Sequence, residues 1–384
     1  MPTVIEAVDQ TRRRWLGALA LGACLPGVAL ASQGGTTRLL AAWQSDEEQC
    51  IGLIDLAGGE ARVAHRLAVP TRAHGLCVEA GGSVLAMARR PGDWLVRWHA
   101  TTGATQWRWI EDGHRFNGHV MASPDGNTLW TTETDRESGL GHVVLRDART
   151  LARAAVFATQ GMDPHEMLVL PAHLGNVPAG SLLVANGGIP TQPETGRAKR
   201  EMDRMDASLV ALDGNTGQVL GQWHLPDARL SIRHLAWDPV SARVGIALQA
   251  EHGDAQARHA APVLAVWDGS SLLAAREQPA LAGYGGDICA RPGGGFLVSC
   301  TRAHHVAWFD ARGVWQRSEP LQEACALGST DSGWWAAGRA RALSNTATDP
   351  LGLPDGLRLD NHWLVVGPSA GPSAGAAHSA VGRT

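Results

Sequence analysis

A polar residue pair followed by a β-hairpin recurs along this chain and constrains its fold more than any other feature. The clearest copy is FNGHVMASPDGNTLWTTETD at residues 116–135, in which Gly118-His119 precedes an alternating strand, a turn at residues 124–127 and a second strand. A turn of Pro, Asp, Gly and Asn between two alternating runs is typical of a β-hairpin.

Six polar pairs lead hairpins of this kind. The pairs are His74-Gly75, Gly118-His119, His165-Glu166, Arg233-His234, Gly286-Asp287 and Glu323-Ala324. In the first five copies the second residue of the pair precedes the turn residue by five positions. Further strand candidates complete units of four strands at a spacing of roughly forty to fifty residues, the sequence signature of propeller blades. The sequence therefore predicts an all-β fold of four-stranded antiparallel blades.

The number of blades follows from strand candidates that lie outside the repeated hairpins. Residues 38–43, 51–56 and 62–69 supply three strands near the start of the fold, and residues 362–366 supply one candidate near its end. Pairing the late strand with the early ones completes a blade and closes the sheets into a ring. We predict a single β-propeller domain over residues 32–366, with seven blades and six as the alternative.

The first 31 residues carry the pattern of an export signal. Arg12-Arg13-Arg14 followed by Trp15 resembles the twin-arginine motif, and an apolar run ends in the small residues of a cleavage site at residues 29–31. We predict a twin-arginine signal peptide over residues 1–31, a periplasmic location, and the twin-arginine translocase as the partner during export. A lipoprotein processed at Cys24 is the less favoured alternative.

Composition excludes some classes of function. The net charge is −4 at pH 7 with both signs intermixed, which does not favour a nucleic-acid partner. None of the five cysteines beyond the signal forms a CxxC pair, so a zinc knuckle is not expected. Cys289 and Cys300 flank a turn and are predicted to form a hairpin disulfide or, preferably, to be two buried thiols. The tail at residues 367–384 is a small-residue repeat and is predicted to be disordered.

In the predicted fold the polar pairs are candidates for a binding site. The first strand of each blade lines the central channel, so the residues that lead these strands should converge at one mouth of it. This places together His74, His119, His165, Glu166, Arg233, His234 and Asp287. Imidazole and carboxylate groups in one concavity indicate an anionic ligand or a metal ion, with iron, zinc or copper favoured over calcium. The alternative is that each histidine only holds neighbouring turns together.

The longest irregular polar stretch, residues 186–208, interrupts the unit that begins at His165. Loops of this length in compact domains are commonly functional. Arg197 and the basic residues that follow it alternate with acidic ones, which fits a lid whose guanidinium groups contact an anion. The alternative is a solvated loop or a short surface helix.

Four segments carry a family resemblance: GHVMASPDGNTLWTTETD, DPHEMLVLP, LLVANGGIPTQPETGRAKREMDRMDASLVALDGNTGQVL and SIRHLAWDP. They are similar to a bacterial exported family known as domain of unknown function 1513, over about residues 36 to 366. The resemblance implies a periplasmic β-propeller with imelysin-like and di-haem oxidoreductase-like partners in iron or haem handling. The motif positions it implies are His119, Glu133, His165, Glu166, Asn186, Gly187, Gly188, Arg197, Lys199, Arg233 and His234. Residues 134–136 and Gln192 depart from the family pattern, which argues against a metal ligand at either place.

The residues and the resemblance together give a set of predicted sites. Ligand-binding roles are predicted for His74, His119, Glu133, Asn186, Arg197 and Arg233, and metal-binding roles for His165, Glu166, His234 and Asp287. The expected cofactor is a transition metal, namely iron, copper or zinc. The favoured function is a non-enzymatic periplasmic binding or accessory protein. The alternatives are a metal-dependent enzyme, such as a lactonase-like hydrolase or an oxidoreductase, that uses the same cluster, and a protein-interaction scaffold.

Overall fold

The computed structural model describes residues 36–45, 48–57, 59–190, 201–347 and 349–366. Its contacts divide the chain into one unit over residues 1–35 and another over residues 36–384. Three of the predictions lie outside the described residues: the signal peptide with Cys24, the basic loop positions Arg197 and Lys199, and the tail at residues 367–384.

The described residues contain 28 strands in groups of four, which we number as blades from the first strand. Blade 1 comprises β1 (Thr37–Ser45), β2 (Glu48–Ala57), β3 (Glu60–Val69) and β28 (Leu357–Val366). Blade 2 comprises β4 (Ala73–Val78), β5 (Val84–Ala88), β6 (Trp94–Trp98) and β7 (Thr105–Trp109). Blade 3 comprises β8 (His114–Ala122), β9 (Thr128–Asp135), β10 (Leu140–Asp147) and β11 (Arg153–Met162).

The remaining four blades follow in chain order. Blade 4 comprises β12 (Pro164–Val169), β13 (Leu182–Asn186), β14 (Ser208–Leu212) and β15 (Val219–His224). Blade 5 comprises β16 (Leu230–Asp238), β17 (Arg243–Ala250), β18 (Leu264–Trp267) and β19 (Leu272–Ala274). Blade 6 comprises β20 (Ile288–Ala290), β21 (Phe296–Cys300), β22 (His305–Phe309) and β23 (Trp315–Pro320). Blade 7 comprises β24 (Leu327–Ser329), β25 (Trp334–Ala337), β26 (Arg341–Ser344) and β27 (Leu351–Gly352).

The innermost strands close a ring. Five blades are separate antiparallel sheets, and blades 1 and 7 are linked by a single parallel pair between Gly352 and Glu60. Contacts run from β28 to β4, β8, β12, β16, β20 and β24 and return to β28. This closed order confirms the predicted β-propeller and its four-stranded blades, and the favoured count of seven fits the observed groups.

The hydrophobic core consists of clusters between neighbouring blades, one at each of the seven interfaces. Strand geometry explains this arrangement, because successive side chains point to opposite faces of a sheet. In β1, Leu39 and Trp43 pack toward blade 7, whereas Leu40 and Ala42 pack toward blade 2. A strand buried on both faces therefore reads as a continuous apolar run instead of an alternating one.

The ring is closed by pairing the two ends of the fold. Leu40 of β1 lies opposite Leu364 of β28, and Trp43 lies opposite Leu359. The predicted closing strand at residues 362–366 is confirmed, but β28 begins at Leu357. The sequence did not indicate this earlier start because residues 357–361 carry Arg358, Asp360 and Asn361, which read as a loop.

Helical structure is sparse in the described part of the chain. The α-helix α1 (Ala255–Ala260) begins after Asp254, whose side chain accepts a hydrogen bond from the Ala257 backbone N–H at 2.7 Å. Single 3₁₀ turns occur at Met202–Arg204 and Thr301–Ala303. Within these residues no helix has both the length and the apolar character needed to cross a membrane.

The five cysteines of the described residues are free thiols. Cys289 lies opposite Leu297 in the β20–β21 ladder, whereas Cys300 lies opposite His305 in the β21–β22 ladder. The two thiols therefore do not face each other across the hairpin. Burial raises the pKa of both, so the preferred interpretation of two buried thiols is confirmed.

Candidate metal centre

Irregular pairing on the inner strands shapes the mouth of the channel. In blades 1 to 5 the register between the inner strand and its neighbour shifts next to a histidine. The shifts fall between Ala73 and Leu76 in β4, between Phe116 and Val120 in β8, between Pro164 and Met167 in β12, and between Ile232 and His234 in β16. In β28 the shift lies opposite residues Ala41 to Trp43 of β1. A β-bulge redirects the side chains beside it. It can therefore turn toward the axis a side chain that strict alternation would point away from it.

Five imidazoles meet at the axis. They belong to His74, His119, His165, His234 and His362, from blades 2, 3, 4, 5 and 1. Around this set the ring centroids of successive neighbours lie 4.9, 4.8, 4.6, 4.4 and 4.6 Å apart. Four of the side chains are buried, and His165 is partly buried. We call this set the axial histidine cluster.

Two glycines permit this close approach. A Cβ on Gly75 would lie 2.2 Å from the carbonyl oxygen of Gly118, and a Cβ on Gly118 would lie 2.9 Å from the His74 ring. Gly118 also has a φ of 107°, a conformation that side chains other than glycine rarely adopt. Glycine at both positions therefore lets β4 and β8 bring their histidines together.

In the part of the chain that the structure describes, the Nε2 atoms of the cluster have no partners outside it. Among the described residues, Nε2 of His74, His119 and His362 makes no hydrogen bond. His165 Nε2 and His234 Nε2 lie 3.2 Å apart. One ring nitrogen from each of His74, His119 and His165, and likewise from each of His74, His234 and His362, lies within 4.8 Å of the other two. Buried polar atoms are nearly always satisfied, so this arrangement needs an explanation.

Carboxylates approach the opposite nitrogen of three of these rings. His74 Nδ1 lies 3.4 Å from Asp360 Oδ1, and His362 Nδ1 lies 3.2 Å from Asp287 Oδ1. His234 Nδ1 lies 3.3 Å from Glu166 Oε2 without a hydrogen bond between them, and this oxygen accepts a hydrogen bond from the Leu235 backbone N–H at 2.7 Å. A carboxylate behind Nδ1 fixes the ring and leaves Nε2 for a metal ion, which is the usual outer shell of a metal-bound histidine.

The protonation states of the imidazoles in the cluster favour the binding of a metal ion. Burial lowers the pKa of every imidazole of the cluster except His362 well below the usual range of histidine, so these rings are neutral at pH 7. Burial opposes the charged form of His362 as well, but the neighbouring Asp287 outweighs it and raises the pKa of His362. Burial raises the pKa of Asp287, so the pair favours a proton between its two partners. Neutral imidazole is the form that binds metal ions.

Arginines lie against one side of the cluster. A cavity of about 20 Å³ is lined by His74, His165 and His234 and also by Arg89, Arg90 and Arg233. The arginines are paired, as Arg233 Nη1 donates to Asp163 Oδ2 at 2.8 Å, Arg90 contacts the other oxygen of Asp163, and Arg89 Nη1 donates to Asp360 Oδ1 at 3.1 Å. Burial would raise the pKa of Asp360, but His74, Arg89 and Arg72 hold it well below its usual range.

The structure brings most of the predicted site residues together. His74, His119, His165 and His234 form the cluster, Glu166 and Asp287 contact its Nδ1 atoms, and Arg233 lines the cavity. The carboxylates Glu166 and Asp287, predicted as metal ligands, instead face the outer side of the rings.

Glu133 and Asn186 do not join the cluster. Glu133 is fully buried and accepts a hydrogen bond from Arg146 Nη2 at 2.7 Å. Asn186 is fully buried in β13 and donates to the Thr159 carbonyl oxygen at 2.8 Å. Glu133 therefore joins strands within blade 3, whereas Asn186 links blade 4 to β11 of blade 3.

Sequence reasoning missed His362 and the charged residues around it. His362 follows the polar residues Asp360 and Asn361, and no hairpin follows it, because its partner strand β1 lies at the other end of the fold. The available signal was the apolar run that follows His362, which matches the run after every other inner-strand histidine. Asp163, which pairs with Arg233 in the cavity wall, had no such signal.

Comparisons with known proteins agree with this fold. The model of a family described as "Protein of unknown function (DUF1513)" matches residues 67–366. A search of the curated proteins finds no match. Among solved structures, the β-propeller domain of Cps50 (Swd1) from Myceliophteria thermophila superposes with a TM-score of 0.54 at 10% identity, over 84% of this chain and 100% of that one.

Two further solved structures share the architecture. A streptogramin B lyase superposes with a TM-score of 0.52 at 12% identity, over 75% of this chain and 85% of that one. Virginiamycin B lyase from Staphylococcus aureus gives a TM-score of 0.50 at 10% identity, over 72% of this chain and 81% of that one. At such identities the likeness establishes the propeller fold alone.

Proposed function

The chain belongs to the DUF1513 family of proteins of unknown function, and we propose that it binds one transition-metal ion at its axial histidine cluster. The observation that carries this proposal is the set of five closely packed imidazoles, in which three Nε2 atoms have no partner in the described structure and the other two, of His165 and His234, lie 3.2 Å apart. A structural role would satisfy these atoms with neighbouring turns or backbone groups. A bound cation would instead satisfy several of them at once.

The nitrogen spacing supports the proposal. Metal–imidazole bonds of about 2.0–2.1 Å place two ligand nitrogens roughly 2.9 Å apart at a right angle and roughly 3.4 Å apart in a tetrahedron. The Nε2 atoms of His165 and His234 are 3.2 Å apart, between these limits. In the triads His74-His119-His165 and His74-His234-His362, one ring nitrogen of each member lies within 4.8 Å of the other two, so a bound ion would draw some of these nitrogens closer together.

The donor atoms narrow the choice of metal. A ligand set of neutral imidazoles suits zinc, copper and iron and does not suit calcium or magnesium, which take oxygen ligands. Binding strength for such a site rises from iron(II) to copper(II) and falls again at zinc. We therefore propose copper, zinc or iron as the bound ion.

We propose a non-enzymatic binding or accessory role as the leading function. The cavity beside the cluster measures about 20 Å³, which is room for one water-sized group. A space of that volume leaves little room for an organic substrate next to the imidazoles. The second candidate is a metal-dependent enzyme, favoured by the same cavity because it places one small ligand next to the metal-binding nitrogens. Two solved structures of this fold are named lyases.

Metal analysis of the purified protein tests the proposal. We expect one equivalent of copper, zinc or iron after loading and dialysis, and loss of that metal in His165→Gln with His234→Gln. The matched control is His173→Ala with His259→Ala, two exposed histidines, which should retain the metal. Absence of metal in the wild-type protein would overturn the proposal and favour a scaffold. If the double glutamine variant retained the metal, the binding site would lie elsewhere in the protein.

The export signal supports a further proposal about location. We propose that the protein is exported to the periplasm by the twin-arginine route and acts beside iron-handling proteins of the imelysin-like and di-haem oxidoreductase-like kinds. The support is Arg12-Arg13-Arg14 with the apolar run after it, and the family resemblance. Replacing all three arginines by lysine should hold the precursor in the cytoplasm, as fractionation would measure. Normal recovery of this variant from the periplasm would contradict the route.

A further inference from the structure

One side of the axial histidine cluster is positively charged. The cavity of about 20 Å³ is lined by three imidazoles, by the guanidinium groups of Arg89, Arg90 and Arg233, and by four other polar side chains. A space of this size holds a single water-sized group. An occupant of so small a space lies close to imidazole and guanidinium side chains alike.

Arg233 has an unused hydrogen-bond donor at this cavity. Its side chain is only 4% exposed, and its Nη1 donates to Asp163 Oδ2 at 2.8 Å. Its Nε has no hydrogen-bond partner in the described ranges. A buried guanidinium N–H without an acceptor is costly, and a guanidinium group binds anions strongly because its donors are charged.

The charge balance around the cluster points the same way. Arg72 and Arg89 pair with Asp360, and Arg90 and Arg233 pair with Asp163. Glu166 and Asp287 lie instead beside His234 and His362. A divalent metal ion would add two positive charges to a buried site that already holds more guanidinium groups than carboxylates paired with them. Uncompensated buried charge is strongly unfavourable, so an anion bound with the metal would lower the free energy of the complex.

We propose that this cavity is an anion subsite, in which a chloride-sized anion or a single anionic oxygen binds the metal ion and accepts a hydrogen bond from Arg233 Nε. This inference rests on the metal-binding function proposed above. It names the second ligand of that site as an anion of one donor atom and assigns Arg233 to hold it.

Absorption spectra of the cobalt(II)-loaded protein test the inference, because the visible bands of cobalt respond to each ligand. Chloride is titrated against perchlorate at constant ionic strength. We expect a saturable change with chloride and none with perchlorate. Arg233→Gln should weaken chloride binding at least tenfold when the two proteins are compared at equal cobalt loading, since the variant removes the charged donor. The matched control Arg317→Gln changes an arginine that is 60% exposed on β23 and should behave as wild type.

The possible outcomes distinguish the anion subsite from the metal centre on which it depends. Cobalt binding without a saturable effect of chloride on the wild-type spectrum would overturn the anion subsite and leave the metal centre standing. An unchanged chloride affinity in Arg233→Gln would also overturn it. Failure of the wild-type protein to bind cobalt, copper or zinc would overturn the metal centre and the subsite together. Arg233→Lys, which keeps the charge but lacks Nε, should show an intermediate affinity and serves if the glutamine variant does not fold.

Discussion

At the scale of single residues, Arg146 is a charged side chain that is 0% exposed. Its Nη2 donates to Glu133 Oε1 at 2.7 Å and to Glu111 Oε2 at 2.8 Å. Burial would raise the pKa of Glu111, but the hydrogen bonds from Arg146 and Arg108 outweigh it and lower this pKa to about 2. The network lies at the interface of blades 2 and 3.

Glu111→Gln should therefore destabilise the protein in a pH-dependent way. The folded-state pKa of Glu111 lies below its unfolded value, so the carboxylate contributes stability that is fully present above about pH 4.5 and is lost as the pH falls toward about 2. We expect a loss of about 1–3 kcal/mol in the free energy of unfolding at pH 7, measured by urea denaturation.

The difference between the wild-type protein and Glu111→Gln should shrink as the pH is lowered from 4.5. Glu319→Gln is a suitable control, because Glu319 pairs with the exposed Arg317 at 3.5 Å and contributes little. A difference that stayed constant from pH 7 to pH 3 would contradict the assignment of the stabilising charge to Glu111.

This network also explains why Glu133, for which a ligand-binding role was predicted, does not lie in the axial histidine cluster. Glu133 stands near the end of a strand in the sequence, where a carboxylate ordinarily faces solvent or a channel mouth. Its partner Arg146 lies 13 residues away on the neighbouring strand, and their contact depends on the register between β9 and β10. A single sequence does not reveal that register.

At the scale of elements, the repeat of polar pair and hairpin was sufficient to predict the inner strands and the convergence of most histidines. It was insufficient to predict which member of each pair faces the axis. In His74-Gly75 and His165-Glu166 the histidine comes first, whereas in Gly118-His119 and Arg233-His234 it comes second. Strict alternation would place these two kinds on opposite faces. The bulges on the inner strands bring them to one side, and a bulge depends on the paired strand as well as on local sequence.

The closing strand supplies a prediction for a whole element. β28 is the inner strand of blade 1, and its Trp363 is 1% exposed in the cluster between blades 7 and 1. A chain ended after Gly356 loses this strand together with Asp360 and His362. We expect that chain to lose its cooperative thermal unfolding transition, measured by circular dichroism, because β1 becomes an unpaired edge at the centre of the ring.

A chain ended after Val366 is the matched control for this truncation. It keeps β28 and removes only the small-residue tail, so its unfolding temperature should equal that of the full chain. Cooperative unfolding of the shorter chain at an unchanged temperature would show that pairing of β1 with β28 is not what closes the fold.

At the scale of the whole molecule, the axial histidine cluster connects blades that are distant in sequence. Its five members come from blades 1 to 5, and His362 lies on the strand that closes the ring. The seven interfaces between blades are separate hydrophobic clusters, so each blade is held mainly by its two neighbours. A metal ion at the axis would add a connection among five blades that no single interface provides.

Metal binding should therefore stabilise the folded ring. A ligand that binds only the folded state at one hundred times its dissociation constant adds about 2.7 kcal/mol. For a fold of this size that corresponds to a rise of roughly 4 °C in the unfolding temperature. Differential scanning calorimetry with and without zinc measures it. His362→Gln should reduce the rise, because it removes the ligand on the closing strand, whereas His259→Ala should leave it unchanged. A rise of equal size in both variants would mean that zinc acts at a site other than the axis, since only one of the two substitutions changes the cluster.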